Sequence, residues 1–283
     1  IFFVHPKETH GVLVEFCEPA PPNWTPTTVS HRNGRLAVYE RGDSDRPSLL
    51  VLHGAAGSTL LESAPLMRRL EPHFHLVGVD LSGHGASSLP PDDTFTIDRL
   101  ADDARAALDA VDASAAHLFG FSMGASVALR VAHTSPDRVR RLALLGASAA
   151  WTAPLARAMQ ARLDLDTLRR RDPERTAPFE AQHQHPDRLF AALRAFVDTL
   201  PDKTDEMHRT LAAVDHSTLV VALDEDPLFS LDDMLDVHAR LANAHLAVLP
   251  GTRHRLAAAP LAALTPLLRD HFSVESEAPS PNL

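Results

Sequence analysis

The stretch GFSMG at positions 120–124 joins two apolar runs of different character. The run before it, 116–121, predicts a buried strand, and the run after it, 125–132, predicts a helix. The spacing Gly-x-Ser-x-Gly between a strand and a helix predicts a very tight turn. In such a turn Ser122 adopts a strained backbone conformation. Side chains at positions 120 and 124 would collide with the strand and the helix, which explains the two glycines. Such a turn presents the Ser122 hydroxyl at the positive end of a helix, beside backbone N–H groups.

The rest of the chain alternates apolar strands with helical patterns. Strands are predicted at 27–31, 35–41, 48–53, 75–80, 141–145, 217–223 and 245–249, and helices at 62–70, 98–111 and 260–272. The first two strands flank Asn33-Gly34, a strong signal for a hairpin turn. Strands that alternate with helices need crossover connections. The predicted fold class is therefore α/β, with a mostly parallel central sheet and helices on both faces.

Residues 148–216 interrupt this alternation. Helical stretches at 154–170 and 186–200 flank a polar segment, 171–185, and no strand is evident. We interpret 148–216 as a helical cap inserted into an α/β core formed by 27–147 and 217–272. Residues 1–26, with a strand-like pattern at 11–16, are interpreted as an N-terminal arm or linker, and 273–283 as a flexible tail.

Charge and composition exclude several classes of partner. A net charge of −10 argues against nucleic acid and against a basic membrane-binding surface. No apolar run approaches the ~20 residues that span a bilayer. The single cysteine, Cys17, cannot form an internal disulfide. Arginine far outnumbers lysine, which is typical of a GC-rich bacterial genome, so we expect a bacterial protein. We also expect a cytoplasmic location.

Candidate partners for Ser122 follow two of the predicted strands. A serine becomes a nucleophile only when a base removes its proton and an acid orients that base. In open α/β sheets such groups gather beyond the carboxyl ends of the strands. Asp224 and Asp226 follow the strand 217–223, and His254 follows the last strand after a Pro-Gly turn. We expect His254 and one of the two aspartates to meet Ser122 at this edge of the sheet.

Two backbone N–H groups are predicted to form an oxyanion hole. One belongs to Met123, directly after the serine, and the other to Ala55, in the loop that follows His53-Gly54. Removing one such donor costs about 3–4 kcal/mol of transition-state stabilisation. Because the donors are backbone groups, the side chains at 55 and 123 matter for shape, and the small Ala55 leaves room beside a scissile carbonyl.

Five motifs together resemble one known superfamily. HGAAG at 53–57, DLSGHGAS at 80–87, GFSMG at 120–124, DEDP at 224–227 and LPGTRH at 249–254 occur in the order and spacing of the α/β-hydrolase fold superfamily. The resemblance covers roughly residues 30–272. It implies Ser122 as nucleophile, His254 as base and Asp226, directly before a proline, as acid, with Asp224 in reserve. It also implies that Asp80 and His84 belong to structural turns.

The resemblance also limits the chemistry. Epoxide hydrolases and haloalkane dehalogenases of this superfamily place aspartate at the position of Ser122. Members with serine include carboxylesterases, enol-lactonases, carbon–carbon bond hydrolases and perhydrolases, and some members are non-catalytic receptors or scaffolds. We expect a carboxylesterase that cleaves small-molecule esters of small to medium acyl chain through an acyl-enzyme intermediate. Neither a cofactor nor a metal is expected.

The N-terminal residues carry a second resemblance. Residues 1–18, and HPKETHGVLVEF at 5–16 above all, resemble the C-terminal end of methylmalonyl-CoA epimerases. In that family the glutamate that matches Glu15 is a metal ligand. The upstream ligands are absent here, so no metal site is predicted. We interpret these residues as a remnant of an upstream domain, with a poorly ordered arm and a bifunctional epimerase–hydrolase as alternatives.

Overall fold

The computed structural model describes residues 2–4, 14–16 and 24–273. Two short strands, β1 (Phe2–Val4) and β2 (Val14–Phe16), pair antiparallel as a separate ribbon. The other strands are β3 (Thr27–His31), β4 (Gly34–Arg41), β5 (Ser48–Leu52), β6 (His75–Asp80), β7 (Ala116–Phe121), β8 (Val139–Leu145), β9 (Thr218–Leu223) and β10 (Ala244–Leu249). The rest of the N-terminal segment, including Cys17, and the tail from 274 onward lie outside the described residues.

Strands β3 to β10 form one sheet in the order β10-β9-β8-β7-β5-β6-β4-β3. The pairs β3–β4 and β4–β6 are antiparallel and all others in this sheet are parallel. The predicted α/β fold with a mostly parallel sheet is confirmed. The strands β6, β7 and β9 are buried along their whole length, as central strands with both faces covered must be.

Helices cover both faces of the sheet. They are α1 (Ala64–Leu70), α2 (Ile97–Asp109), α3 (Met123–Thr134), α4 (Ala153–Arg162), α5 (Leu165–Arg171), α6 (Pro173–Gln182), α7 (Pro186–Thr199), α8 (Thr204–Ala213), α9 (Leu231–Arg240) and α10 (Leu261–Ser273). Alternate residues of β5 point to opposite faces: Leu50 packs in the core with α2 and α3, and Leu49 packs with α1 and α10. No helix of the described residues is long and apolar enough to cross a membrane.

Helices α4 to α8, which we call the helical insertion, connect β8 to β9. The sequence prediction was wrong in detail here. The stretch 154–170 is two helices, because the Asp164 side chain accepts a hydrogen bond from the Thr167 N–H and starts α5. The polar segment 171–185 contains α6, and α8 was not predicted.

Two other helices also differ from the sequence prediction. Residues 59–63 form a π-helical turn before α1, because Pro65 has no N–H to continue the α-helical pattern backward. Helix α9, between β9 and β10, was not predicted.

Candidate active site

The turn after β7 holds Ser122 in a strained conformation. Its φ of 54° and ψ of −116° lie outside the regions that a serine ordinarily adopts. The Ser122 N–H donates to the Leu145 carbonyl over 2.9 Å, which ties the turn to β8. A Cβ at Gly120 would overlap the Gly124 carbonyl, and one at Gly124 would overlap the Leu52 carbonyl. The turn can therefore form only with glycine on both sides of the serine.

Ser122, His254 and Asp226 lie in one hydrogen-bonded chain. The Ser122 Oγ is 2.9 Å from His254 Nε2, and His254 Nδ1 is 2.6 Å from Asp226 Oδ2. A carboxylate accepts the Nδ1–H, which leaves Nε2 free to accept the serine proton. The sequence places these residues 132 and 28 positions apart, and the carboxyl ends of β7, β9 and β10 bring them together.

Aromatic rings hold the His254 imidazole. The Phe121 ring lies 4.9 Å from it, centre to centre, and the Phe229 ring lies 5.1 Å away at a near-perpendicular angle. Gly146 packs against the same imidazole, where a Cβ would be 3.1 Å from His254 Cε1. The ring therefore has little freedom to turn away from Ser122.

The two candidate aspartates have different partners. The Asp226 side chain is 1% exposed, and its Oδ1 accepts hydrogen bonds from the Leu228 and Phe229 N–H groups at 2.8 and 3.1 Å. These bonds aim Oδ2 at His254. Asp224 is exposed, and its Oδ1 accepts from the Thr252 N–H over 3.1 Å. Of the two carboxylates, Asp226 is the one that meets the histidine.

The loop 53–57, which we call the oxyanion loop, is fixed by several hydrogen bonds. The Gly57 N–H donates to the Gly54 carbonyl over 3.1 Å, and Ala56 has a positive φ of 57°. His53 Nδ1–H donates to the Gly54 carbonyl, and its Nε2 accepts from the Leu81 N–H. Burial lowers the pKa of His53 to about 4, so its ring stays neutral and can serve both bonds.

A half-buried glutamate contacts the same loop. Glu62 Oε2 accepts a hydrogen bond from the Gly54 N–H over 2.6 Å. Burial raises the pKa of Glu62 to about 7, while the Gly54 N–H and the positive charge of Arg255 oppose that shift. Among the bonds of the described residues, none takes the N–H of Ala55 or Met123, so these predicted donors are free for a ligand.

Asp80 ties together the loops around the oxyanion loop. It accepts from the Thr59 N–H at 2.8 Å, the Ala86 N–H at 2.9 Å and the Tyr39 hydroxyl at 3.2 Å. Burial raises the pKa of Asp80. His84 is fully buried and its Nδ1 bonds the Ser82 carbonyl. Both residues connect turns and neither contacts Ser122 or His254.

An apolar pocket lies between the oxyanion loop and the helical insertion. Ala55 and Met123 line it from the core, together with Trp151, Met159 and Phe196 from across the pocket. Among the described residues, those that line it carry no charge, and the Ser126 hydroxyl and the Trp151 indole are their polar groups. Its volume is about 10 Å³, the space of roughly one water molecule. In the described part of the chain, no group of three or more His, Cys, Asp or Glu side chains could hold a metal ion.

The comparisons with known proteins agree with this arrangement. A sequence model described as alpha/beta hydrolase fold matches residues 47–184. Serine hydrolase BPHL of Mus musculus is 30% identical over 237 residues, which cover 79% of this chain and 78% of the relative. The chain belongs to the α/β-hydrolase fold superfamily. The predicted membership is thereby confirmed, and the chain is a hydrolase.

Other members of the superfamily are similar over comparable lengths. The 2-hydroxymuconate semialdehyde hydrolase of Pseudomonas sp. (strain CF600) is 28% identical over 253 residues, covering 81% of this chain and 88% of that relative. The crystal structure of a hydrolase from Pseudomonas aeruginosa PA01 superposes with a TM-score of 0.72 at 25% identity, covering 88% of this α/β hydrolase and 98% of that chain. The fold is therefore shared nearly from end to end.

Several residues of the site were not predicted from sequence. Glu62, His183 and Phe229 belong to none of the superfamily motifs in this chain. Phe229 precedes Ser230, whose side chain forms a capping box with Asp233 at the start of α9. That capping pattern is a sequence signal for α9, and it could have placed Phe229 at a helix entrance beside Asp226. Nothing comparable marks Glu62 or His183.

Proposed function

We propose that this hydrolase cleaves carboxylic esters of small to medium acyl chain through an acyl-enzyme intermediate. The observation that carries the proposal is the chain of hydrogen bonds from Ser122 through His254 to Asp226, at 2.9 and 2.6 Å. A serine paired with an oriented histidine is the arrangement that acyl transfer requires.

The proposed reaction has two halves. Ser122 Oγ attacks the ester carbonyl while His254 Nε2 takes the serine proton, and the N–H groups of Ala55 and Met123 hold the resulting oxyanion. His254 then gives the proton to the leaving alcohol, which departs as the acyl-enzyme forms. Water repeats the same steps: His254 takes its proton, the acyl–serine bond breaks, and the proton returns to Ser122. Asp226 keeps Nδ1 protonated and stabilises the charged imidazole.

The apolar pocket supports an uncharged acyl group. The leaving oxygen must lie at His254 to receive its proton, and His254 does not line the pocket, whereas Ala55 and Met123 do. The pocket therefore takes the acyl side of the ester. An acyl group with a carboxylate would meet no cation there and would lose its hydration without compensation. Because the free space is small, acetate to butyrate esters should fit with the least side-chain movement.

The test is hydrolysis of p-nitrophenyl esters from acetate to palmitate by the wild type and by Ser122→Ala. We expect the highest kcat/KM for the short acyl chains and a loss of about 10⁶ in kcat in the variant. The exposed Ser114→Ala serves as the matched control and should keep wild-type activity. Turnover by Ser122→Ala near the wild-type rate would contradict the nucleophile assignment.

Absence of turnover with every ester would contradict the ester proposal. The next substrates would then be enol-lactones, carbon–carbon bond substrates and peracid formation, which the same three residues can serve. Failure of all of them in a folded protein would favour a ligand-binding role.

A further inference from the structure

Residues 182–188, from the end of α6 to the start of α7, bond the helical insertion to the core at several points. The Ser58 hydroxyl donates to Gln182 Oε1, Gln184 Nε2 donates to the Ala86 carbonyl over 2.6 Å, and Arg188 pairs with Asp93 at 2.7 Å. Between these bonds lies His183, which is 6% exposed. It is the residue of this segment that bonds the oxyanion loop.

Both ring nitrogens of His183 bond backbone groups of the core. The Gly85 N–H donates to Nδ1 over 2.9 Å, and Nε2 is 3.1 Å from the Ala56 carbonyl. A backbone N–H can only donate and a carbonyl can only accept, so the ring must be neutral with its proton on Nε2. A second proton on Nδ1 would face the Gly85 N–H and break that bond.

The surroundings keep this ring neutral. Burial lowers the pKa of His183 to about 4, helped by the nearby His53, while Asp80 and the Ala56 carbonyl oppose the shift. The His84 ring lies 6.0 Å away, centre to centre. His183 therefore keeps both bonds throughout the pH range in which a histidine base can work.

The bond from His183 to the Ala56 carbonyl links this histidine to the proposed oxyanion hole. Ala56 has a φ of 57°, a left-handed conformation that alanine adopts only when its surroundings hold it. Ala55, its neighbour, carries the N–H of the proposed oxyanion hole. The Ala56 carbonyl shares its peptide with the Gly57 N–H, which donates to the Gly54 carbonyl over 3.1 Å, and that carbonyl shares its peptide with the Ala55 N–H. By holding the Ala56 carbonyl, His183 therefore helps to set the direction of the Ala55 N–H.

We propose that His183 is a positioning residue for the oxyanion loop, so that docking of the helical insertion and assembly of the oxyanion hole are coupled. The inference rests on the proposed ester hydrolysis for its effect on rate. When the insertion moves away to admit an ester, the bond to Ala56 is lost and the oxyanion hole loosens. When it closes over the acyl group, the bond re-forms and the Ala55 N–H returns to its place.

Two substitutions separate the two bonds of His183. Glutamine can place its amide N–H near the position of Nε2 and keep the bond to Ala56. Asparagine reaches only as far as Nδ1, so it can accept from Gly85 but cannot reach Ala56. We expect His183→Asn to lower kcat about 10- to 100-fold, since a displacement of about 1 Å has effects of that size, with KM within about twofold. His183→Gln should keep most of the activity.

A transition-state analogue and a matched variant complete the kinetic test. Butylboronic acid forms a tetrahedral adduct whose oxygen needs the oxyanion hole, so its inhibition constant should rise in His183→Asn by about the factor lost in kcat. Gln184→Ala removes another bond between the insertion and the core, and it should leave kcat and boronate binding unchanged. Equal effects of His183→Asn and Gln184→Ala, or an effect on KM alone, would overturn the proposal.

Hydrogen exchange tests the contact independently of turnover. Amides in a peptide covering residues 53–58 should exchange faster in His183→Asn than in the wild type, His183→Gln or Gln184→Ala. If the wild type cleaves no ester and this pattern is observed, the ester proposal fails and the loop contact stands. Unchanged exchange in His183→Asn would overturn the contact whatever the activity.

Discussion

At the residue scale, the orientation of one carboxylate depends on two backbone N–H groups. Asp226 Oδ1 is held by Leu228 and Phe229, which leaves Oδ2 for His254. Asp224, two positions earlier, holds the Thr252 N–H and thereby the turn before His254. One aspartate therefore contacts the imidazole directly, and the other supports the loop that carries it.

Asp226→Asn should lower kcat by about 10⁴ with little change in folding. The asparagine amide can present its N–H₂ to His254 Nδ1, which would place the imidazole proton on Nε2, where it cannot accept the serine proton. Asp224→Asn keeps an oxygen for the Thr252 N–H and should retain most of the activity. Steady-state kinetics of both variants with p-nitrophenyl butyrate give the ranking, and the reverse order would assign the acid to Asp224.

The sequence could identify these residues as candidates but could not supply their geometry. Chain order and the ends of the predicted strands select Ser122 and His254 from many serines and 17 histidines. The choice between Asp224 and Asp226 depends on which backbone N–H groups each side chain reaches, and both follow the same strand. Glu62 and His183 bond loop residues that lie 8 and 127 positions away in the sequence. Tertiary packing sets these contacts, and the local sequence pattern does not predict them.

At the element scale, one face of α7 forms much of the pocket wall. Leu193, Phe196 and Val197 of α7, with Leu200 directly after its end, line the pocket at the spacing of one side of a helix. Leu189 on the same helix is fully buried but does not line the pocket. Helix α7 therefore carries both residues that shape the pocket and residues that only support the fold.

Phe196→Ala should shift the acyl-chain preference toward longer chains. Removing the ring enlarges a pocket of about 10 Å³, so the ratio of kcat/KM for octanoate over butyrate should rise about tenfold, the size of effect that a few methylene contacts produce. Leu189→Ala also truncates a buried side chain of α7 and should leave the ratio unchanged. An unchanged ratio in Phe196→Ala would show that the acyl group lies elsewhere.

The helices that the sequence pattern missed, α6, α8 and α9, bury few side chains. Helix α6 carries Pro178 within it, and α8 buries only Met207, Thr210 and Leu211. Short helices of this kind are stable only through tertiary packing, so the local sequence predicts them poorly, and the capping box of α9 is the clearest signal among them. By contrast, the buried strands are continuous apolar runs of strand length, and α2 has apolar residues at helical spacing over its whole length. These elements could be predicted to within a few residues.

At the scale of the whole molecule, buried histidines couple stability to pH. Burial lowers the pKa of His53, His117, His183 and His271 to about 4 from 6.5. Between these values the unfolded chain binds more protons than the folded protein. Their contribution to stability is therefore complete above pH 6.5 and is lost as the pH falls toward 4. The pKa of Glu62 is raised from 4.5 to about 7, so the folded protein binds this proton more tightly than the unfolded chain. Its contribution to stability is complete below pH 4.5 and is lost as the pH rises toward 7.

His117 offers a direct test of this coupling, because it lies away from Ser122 in the packing of β7 against α10. Its side chain packs between Phe74 and Phe272, and its Nδ1 has no hydrogen-bond partner among the described residues. Arg140 and Arg141 add to the effect of burial on its pKa. His117→Leu removes a group that must stay neutral in the fold, so the drop in unfolding free energy between pH 7 and pH 5 should shrink by up to about 2 kcal/mol. Urea unfolding at both pH values measures this change.

Thr265→Val is the matched control. It also removes a buried polar atom that has no partner in the described part of the chain, but no titratable group, so it should leave the drop unchanged. Equal drops in the wild type and His117→Leu would mean that this histidine binds its proton as readily in the folded protein as in the unfolded chain.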